Sequence, residues 1–482
     1  MMKVKQKQIL MGLFLLGLTT TSVVFAQGIL LNDSELRNDL NWLNQQGVIQ
    51  ISTSTWPLSG DEIQNALSNA KPTNSVQEKV IASIQKNINL DNDAVKIGLF
   101  AESDPKYLPK SFADKSKSEY QGYLELNTGG TFWDAKLRVN VEKDQQDTMN
   151  EDINLEGSYL ATKVWNQWLI AGQIPTWWGP GHEGSLIRGD ASRPVYGVTI
   201  QRALQNPFET KWLSWFGSWQ YQVFAGQLKD YEAVPHAKLL GLRITAQPFQ
   251  FLELGASRVL QWGGEGRSES LNTLWQAIKG NDNVYNPAED PSNQLAGIDF
   301  RLNLNKVLGY PIGVYGQVIG EDEAGGLPSR NTYLAGLDYA ASYKNMPFSV
   351  YVEWADTSTN GKNLGYSYNH YIYTDGYYQN GYPLGYPIGG DGDLVSLGGD
   401  IQFDKVNRLM GRVFYTQVNQ SNVEINHAFD QKDKIKGLDL TWTHNIKPQI
   451  PLKINVWLSD SDVKGKDSGA SVSLELPLNM KF

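Results

Sequence analysis

At 482 residues the chain has room for one large barrel or about two to three soluble domains. It has no Cys, which excludes disulfide frameworks, thiol nucleophiles and cysteine metal sites, and its net charge of -9 lacks the basic excess of a nucleic-acid binder. Fifteen Trp, 23 Tyr and 46 Gly instead suit a barrel with aromatic girdles and many turns.

Residues 1–26 read as a secretory signal peptide. Lys3, Lys5 and Lys7 precede an apolar run from Ile9 to Leu18, and Val24-Phe25-Ala26 offers an A-x-A-like cleavage site before Gln27. That run is too short to span a bilayer as a helix, and no later run reaches roughly eighteen apolar residues. An exported chain of this kind can enter a membrane only as a closed barrel, because lipid leaves no other way to satisfy the backbone.

Residues 27–93 change to a period near 3.6. Leu36, Leu40 and Leu43 share a face after the cap candidates Asn32-Asp33-Ser34, with Gly47 as the stop. Ser59 and Glu62 predict a capping box for a second helix, and Ser75 with Glu78 predicts another. Three short helices cannot stand alone as a robust domain. They are expected at the periplasmic mouth of a barrel, as a plug or as a docking module for a periplasmic partner.

Residues 94–482 are expected to be an all-β transmembrane barrel of about 18 antiparallel strands. From Ala470 to Phe482 every even position is apolar, an alternation long enough for a membrane-spanning strand and ending in the terminal aromatic that barrel assembly machinery reads. Working backward, short turns fall at Asn445–Gln449, Asp404–Arg408, Lys344–Pro347, Asn305–Pro311 and Gln247–Gln250. Long links fall at Ser459–Gly469, Asn419–Lys436, Asn360–Asp393, Gly320–Asn331, Trp262–Asn293, Lys229–Lys238 and Trp177–Pro194. This alternation is that of periplasmic turns and extracellular loops; Leu204–Ser218 is too long for its place in it. With apolar positions facing outer-membrane lipid, Arg138, Asn140, Glu142, Arg243, Thr245, Glu253, Ser257, Lys453 and Asn455 are expected to face the lumen.

Function is expected in loops and lumen, since barrel walls are scaffold. The Gln173–Pro194 stretch places Trp177, Trp178, Arg188, Asp190 and Arg193 among glycines and prolines. A sugar ring stacks its C–H face on Trp, and its hydroxyls or a uronate carboxylate suit Arg, Asp and Glu. The same residues could equally be an interfacial girdle and a loop-holding ion pair. Trp262, Glu265 and Arg267 open a second long loop, Glu321, Asp322 and Glu323 form an acidic run, and His370, Tyr377 and Tyr378 belong to the Tyr-rich stretch Tyr366–Gly385. All fourteen residues are glycan-binding candidates. Adjacent carboxylates on one loop do not supply the separation that glycoside hydrolysis needs, and His182-Glu183 reads as a loop contact. There is no H-E-x-x-H, G-x-S-x-G, phosphate-cradling or cofactor motif, so neither catalysis nor a cofactor is expected.

The mature chain resembles the capsule assembly Wzi family of Gram-negative outer-membrane proteins. The resemblance runs through Leu36–Leu43, Ser52–Leu58, Trp165–Trp168, Trp177–Pro194, Val234–Lys238, Leu254–Arg258, Gln261–Arg267, Asn293–Gly297, Gly316–Glu323 and Tyr366–Gly385. It implies an eighteen-stranded barrel with a periplasmic helical bundle and an occluded lumen, acting as a lectin that tethers exported capsular polysaccharide at the cell surface. A carbohydrate-selective porin is the alternative reading.

Overall fold

The computed structural model describes residues 27–478 apart from 91–93, 115, 150, 230, 281–290, 325–326, 360–363, 423–424 and 448. The signal-peptide reading of 1–26 and the terminal Met480 and Phe482 lie outside the described residues.

Eighteen antiparallel strands close on themselves among the described residues. They are β1 (Val95–Glu102), β2 (Ser118–Gly130), β3 (Trp133–Gln145), β4 (Tyr159–Val164), β5 (Gln167–Gln173), β6 (Tyr196–Arg202), β7 (Ser218–Gln227), β8 (Lys238–Phe249) and β9 (Leu252–Trp262). The circuit continues through β10 (Ser292–Asn303), β11 (Ile312–Gly320), β12 (Thr332–Tyr343), β13 (Met346–Asp356), β14 (Asp393–Gln402), β15 (Asn407–Val418), β16 (Asp433–Lys447), β17 (Ile450–Ser461) and β18 (Gly465–Leu478). A two-residue piece, Ile153–Asn154, pairs with β3 just as β4 does, so the two are one interrupted strand. Closure is β18 against β1, from Leu478 opposite Val95 to Ser471 opposite Glu102. Pro477 falls opposite Lys96 near the strand end, where one missing N–H disturbs little of the ladder.

The two faces divide as the alternation predicts. Leu242, Leu254, Ile298, Leu337, Val352, Leu397, Val413 and Leu458 are exposed on the outer wall, a belt of apolar area that lipid covers. Arg138, Asn140, Glu142, Arg243, Thr245, Glu253, Ser257, Lys453 and Asn455 point into the lumen, buried or half-buried.

One end carries tight turns at 131–132, 165–166, 250–251 and 344–345; the other carries loops 103–117, 174–195, 263–291 and 357–392. Residues 203–217 are the long exception at the tight-turn end, with a short 3-10 turn at Ser214–Phe216. The expected long link at Ser459–Gly469 is instead a three-residue turn, 462–464. Its polar residues continue the ladder, with Asp460 opposite Lys466, and Asp433 accepts the Val463 N–H at 3.2 Å. Beyond the lipid belt both faces of a strand meet water, so polarity there does not mark a loop.

Three helices close the tight-turn end: α1 (Ser34–Gln45), α2 (Gly60–Ser68) and α3 (Ser75–Leu90). Asp33 caps α1 by accepting the Leu36 N–H, and Gly47 (φ 71°) ends its exit turn. Neither expected capping box forms. Ser59 makes no side-chain cap, because Glu62 turns to accept the Gln205 N–H of the barrel at 2.7 Å, and Asn74 rather than Ser75 caps α3, accepting the Val76 and Gln77 N–H groups at 3.0 Å. A tertiary partner overrides the local motif at α2, and a neighbouring side chain replaces it at α3. Leu40, Leu43, Ile63, Val80, Ile84 and Ile88 form a core continuous with Phe112 and Trp177 from the opposite end. The bundle therefore completes its core inside the barrel mouth rather than alone.

Candidate functional site

Loop 174–195 turns down into the lumen and meets the N-terminal segment there. Trp177 and Trp178 pair antiparallel with Trp56 and Thr55, the Gly179 N–H donates to the Ser54 carbonyl at 2.8 Å, and Arg37 Nη2 donates to the Gly181 carbonyl at 2.7 Å. Both Trp side chains are fully buried, Trp177 edge-on to Phe112 and Trp178 with its Nε1 on Gln222. Arg188 lies 4.9 Å from the Phe224 ring centroid and donates to the Thr176 hydroxyl at 2.6 Å. Asp190 accepts from Asn32 Nδ2 and the Ala113 N–H at 2.8 and 2.9 Å. Arg193 is buried between Glu142, Asp147 and Glu156 at 2.7, 2.5 and 3.0 Å. Trp262 is buried at the top of β9. These six candidates are buried or half-buried among loops and lumen, and none of them is exposed. His182 and Glu183 also separate: His182 faces Asp338 at 3.0 Å, whereas Glu183 accepts from Arg412 and from the Tyr351 hydroxyl.

The Tyr-rich loop, 357–392, lies over that plug. Tyr368 and Tyr377 donate to the carbonyls of Leu186 and Ile187 at 2.7 and 2.8 Å, and the Tyr378 hydroxyl accepts the Gly390 N–H at 3.1 Å. Tyr231 donates to the Gly376 carbonyl at 2.8 Å and Tyr373 to the Gly263 carbonyl at 3.2 Å. Buried hydroxyls with such partners make a rigid lid, and Tyr377 and Tyr378 are inside it.

Three of the remaining candidates, Glu265, Arg267 and His370, lie where the lid meets loop 263–291. Gly263, Gly264 and Gly266 take φ of 65°, 101° and 76°, left-handed turns that carry Glu265 and Arg267 to a tip. Glu265 is exposed and faces His236 at 3.0 Å. The Arg267 guanidinium lies 5.8 Å from the Tyr373 ring centroid, and the His370 ring is 5.7 Å from Tyr373 and 4.6 Å from Tyr371. Tyr371 is 56% exposed. Burial, then the neighbouring Arg267 charge, pulls His370 down to about 4, so its Nδ1 is neutral and accepts the Ile372 and Tyr373 N–H groups at 3.2 and 3.3 Å. Glu321 lies at the end of β11, accepts the Tyr368 N–H at 2.5 Å and is pushed up to about 8 by burial. Asp322 and Glu323 belong to a short hairpin strand, Asp322–Ala324, and their side chains lie outside the described residues. The patch thus combines an outward aromatic, a guanidinium, a carboxylate and two imidazoles. Tyr371 and His236 join it without having been chosen from sequence; no local spacing links them, since only the fold brings residues 236, 265, 267 and 371 together. Among the described residues no group of three His, Asp or Glu is placed to hold a metal ion.

Such a surface can stack a sugar ring and hydrogen-bond its hydroxyls or carboxylate, and comparisons with known proteins bear on that chemistry. A family model described as capsule assembly protein Wzi matches residues 101–474. A Klebsiella pneumoniae protein described as an uncharacterized 55.8 kDa protein in the cps region is 42% identical over 457 residues, covering 95% of this chain and 90% of that protein. A solved Escherichia coli structure, described as Wzi, an outer membrane protein involved in group 1 capsule assembly and a carbohydrate-binding β-barrel, is 43% identical. It superposes with a TM-score of 0.87 over 94% of this chain and 100% of its own.

Proposed function

The chain belongs to the Wzi capsule assembly family, and from that premise we propose that it is a lectin holding exported capsular polysaccharide at the cell surface. It is an outer-membrane β-barrel, with the long loops assigned to the outside and helices α1–α3 to the periplasm. Carbohydrate contact is assigned to Glu265, Arg267 and His370 together with Tyr371 and His236. The observation that carries this is their convergence on one outward patch, Arg267 and His370 both against Tyr373 and Glu265 exposed beside His236, while Trp177, Trp178, Arg188 and Arg193 of the plug below are buried. Tyr371 supplies a stacking face and Arg267 a fork suited to vicinal hydroxyls or a uronate.

No reaction is assigned: the description of the similar E. coli barrel is of binding, and among the described residues the patch holds no pair of carboxylates across a cleft. A porin role is disfavoured by a lumen narrowed from both ends, by α1 and by loop 174–195, with a cavity lined by Gln121, Tyr123, Arg138 and Lys453 left beside them. Purified protein should bind the host's capsular polysaccharide, and loss of the protein should release polymer into the medium while synthesis continues. Polymer staying cell-bound in a deletion strain, or large steady openings in planar bilayers, would overturn the reading.

A further inference from the structure

Helix α4 (Leu271–Lys279) is placed unusually for part of an extracellular loop. Inward positions of β9, such as Ser257 and Gln261, meet Arg243 and Tyr231 within the barrel, so Arg258 and Leu260 between them face outward. On β10 the partner of Leu260 is Gln294, which is therefore outward too. Helix α4 lies against this outer wall. Arg258 donates Nη1 to the Ile278 carbonyl at 2.8 Å and Nη2 to the Ala277 carbonyl at 3.1 Å, and Gln294 Nε2 reaches the Ala277 carbonyl at 2.9 Å. Ala277 is fully buried, and Leu260 and Gln294 are buried although they face away from the lumen.

These contacts solve two problems at once. A guanidinium on the wall of a membrane barrel needs acceptors, and the last turn of a helix has carbonyls without intrahelical partners. Ser270 accepts the Thr273 N–H at one end and Gly280 closes the other in the left-handed conformation, so both ends are finished. What is left over is the opposite face. Leu271, Trp275 and Ile278, at i, i+4 and i+7, are 84, 54 and 44% exposed. The Lys279 ammonium lies 5.2 Å from the Trp275 ring centroid, a cation at the border of the apolar stripe. The stripe continues the lipid belt formed on the same strands by Leu254 and Ile298.

We propose that α4 is an interfacial helix whose Leu271–Trp275–Ile278 face docks into the lipid of the outer leaflet at the acyl-chain and headgroup boundary. Continuity with the lipid-covered wall selects lipid as the occupant. Trp suits that depth, and Lys279 reaches back to the anionic headgroups. The loop bearing Glu265 and Arg267 is thereby tied to the membrane plane through residues immediately following it. The inference is independent of the glycan reading.

The absence of native Cys makes the test direct. Single variants Leu271→Cys, Trp275→Cys, Ile278→Cys and the polar-face control Asn272→Cys are nitroxide-labelled in the full barrel, reconstituted in vesicles of phosphatidylethanolamine and phosphatidylglycerol. Accessibility to oxygen should exceed accessibility to a water-soluble nickel chelate several-fold at 271, 275 and 278, with the order reversed at 272. Equal water access at all four positions overturns the proposal. So does shielding from both reagents, which would indicate a second protein surface, or shielding that arises only on adding capsular polysaccharide. If one variant fails to insert, the other two positions on the stripe carry the same measurement.

Discussion

Loop 174–195 and the patch above it are made of the same residue types, Trp or Tyr, Arg, His and Glu, yet the structure uses them in opposite ways. In the loop Arg193 is enclosed by three carboxylates and Trp178 is buried in the core; in the patch Arg267 and Tyr371 sit at the tip of turns that face outward. The difference is where the backbone goes, not composition. A chain pulled into a lumen pairs most of the polar groups it buries, here all but two nitrogens of Arg188 among its arginines, whereas one held at the rim can leave a face for a ligand.

The largest effect that would break this contrast is on stability. Arg193→Ala leaves Glu142, Asp147 and Glu156 crowded without their cation, and should cost about 3–5 kcal/mol in urea unfolding of the detergent-solubilised barrel. Arg267→Ala should do the reverse, leaving the unfolding midpoint in place while weakening polysaccharide binding by about 1.5–3 kcal/mol in calorimetry. Tyr371→Ala should weaken the same binding by about 0.5–1.5 kcal/mol, again without change in unfolding. If Arg267→Ala unfolds the protein, or Arg193→Ala leaves it stable and abolishes binding, the two regions have been assigned the wrong way round.

The smallest effects are in pH. His370 is held below its unfolded value, so the unfolded loop binds the extra proton; its contribution is complete above the ordinary imidazole range and is lost as pH falls through about 4. Glu321 is raised, so its contribution is complete below the ordinary carboxylate range and is lost as pH rises through about 8. The protection of the Tyr368 amide, its exchange relative to the intrinsic rate, should therefore fall on the alkaline side, and Glu321→Gln should remove that alkaline change. Protection at Ile372 and Tyr373 should fall on the acid side, and His370→Asn should remove that one.

The wall was legible because alternation reports directly on two environments. Outward Leu and Val and inward Arg138, Arg243 and Glu253 follow from a period of two, and strand number followed from counting links. The turn at 462–464 was not legible, since polarity above the lipid belt is common to strands and loops. The first capping box failed because Glu62 had a better partner in Gln205, 143 residues away, and the second because Asn74, one residue earlier, caps α3. Residue type alone could not separate Trp177, which was a candidate, from Tyr371, which was not. Their fates depend on whether a loop bends inward, which is fixed by its pairing with Thr55 and Trp56.

That pairing also means the tube is corked by two pieces of chain that enter from opposite mouths and clasp in the middle. Neither piece is a complete stopper. A shortened protein beginning at β1 would present the Trp177–Trp178 edge with no strand beside it, admitting more solvent along the axis, and it should pass ions more readily than the full chain.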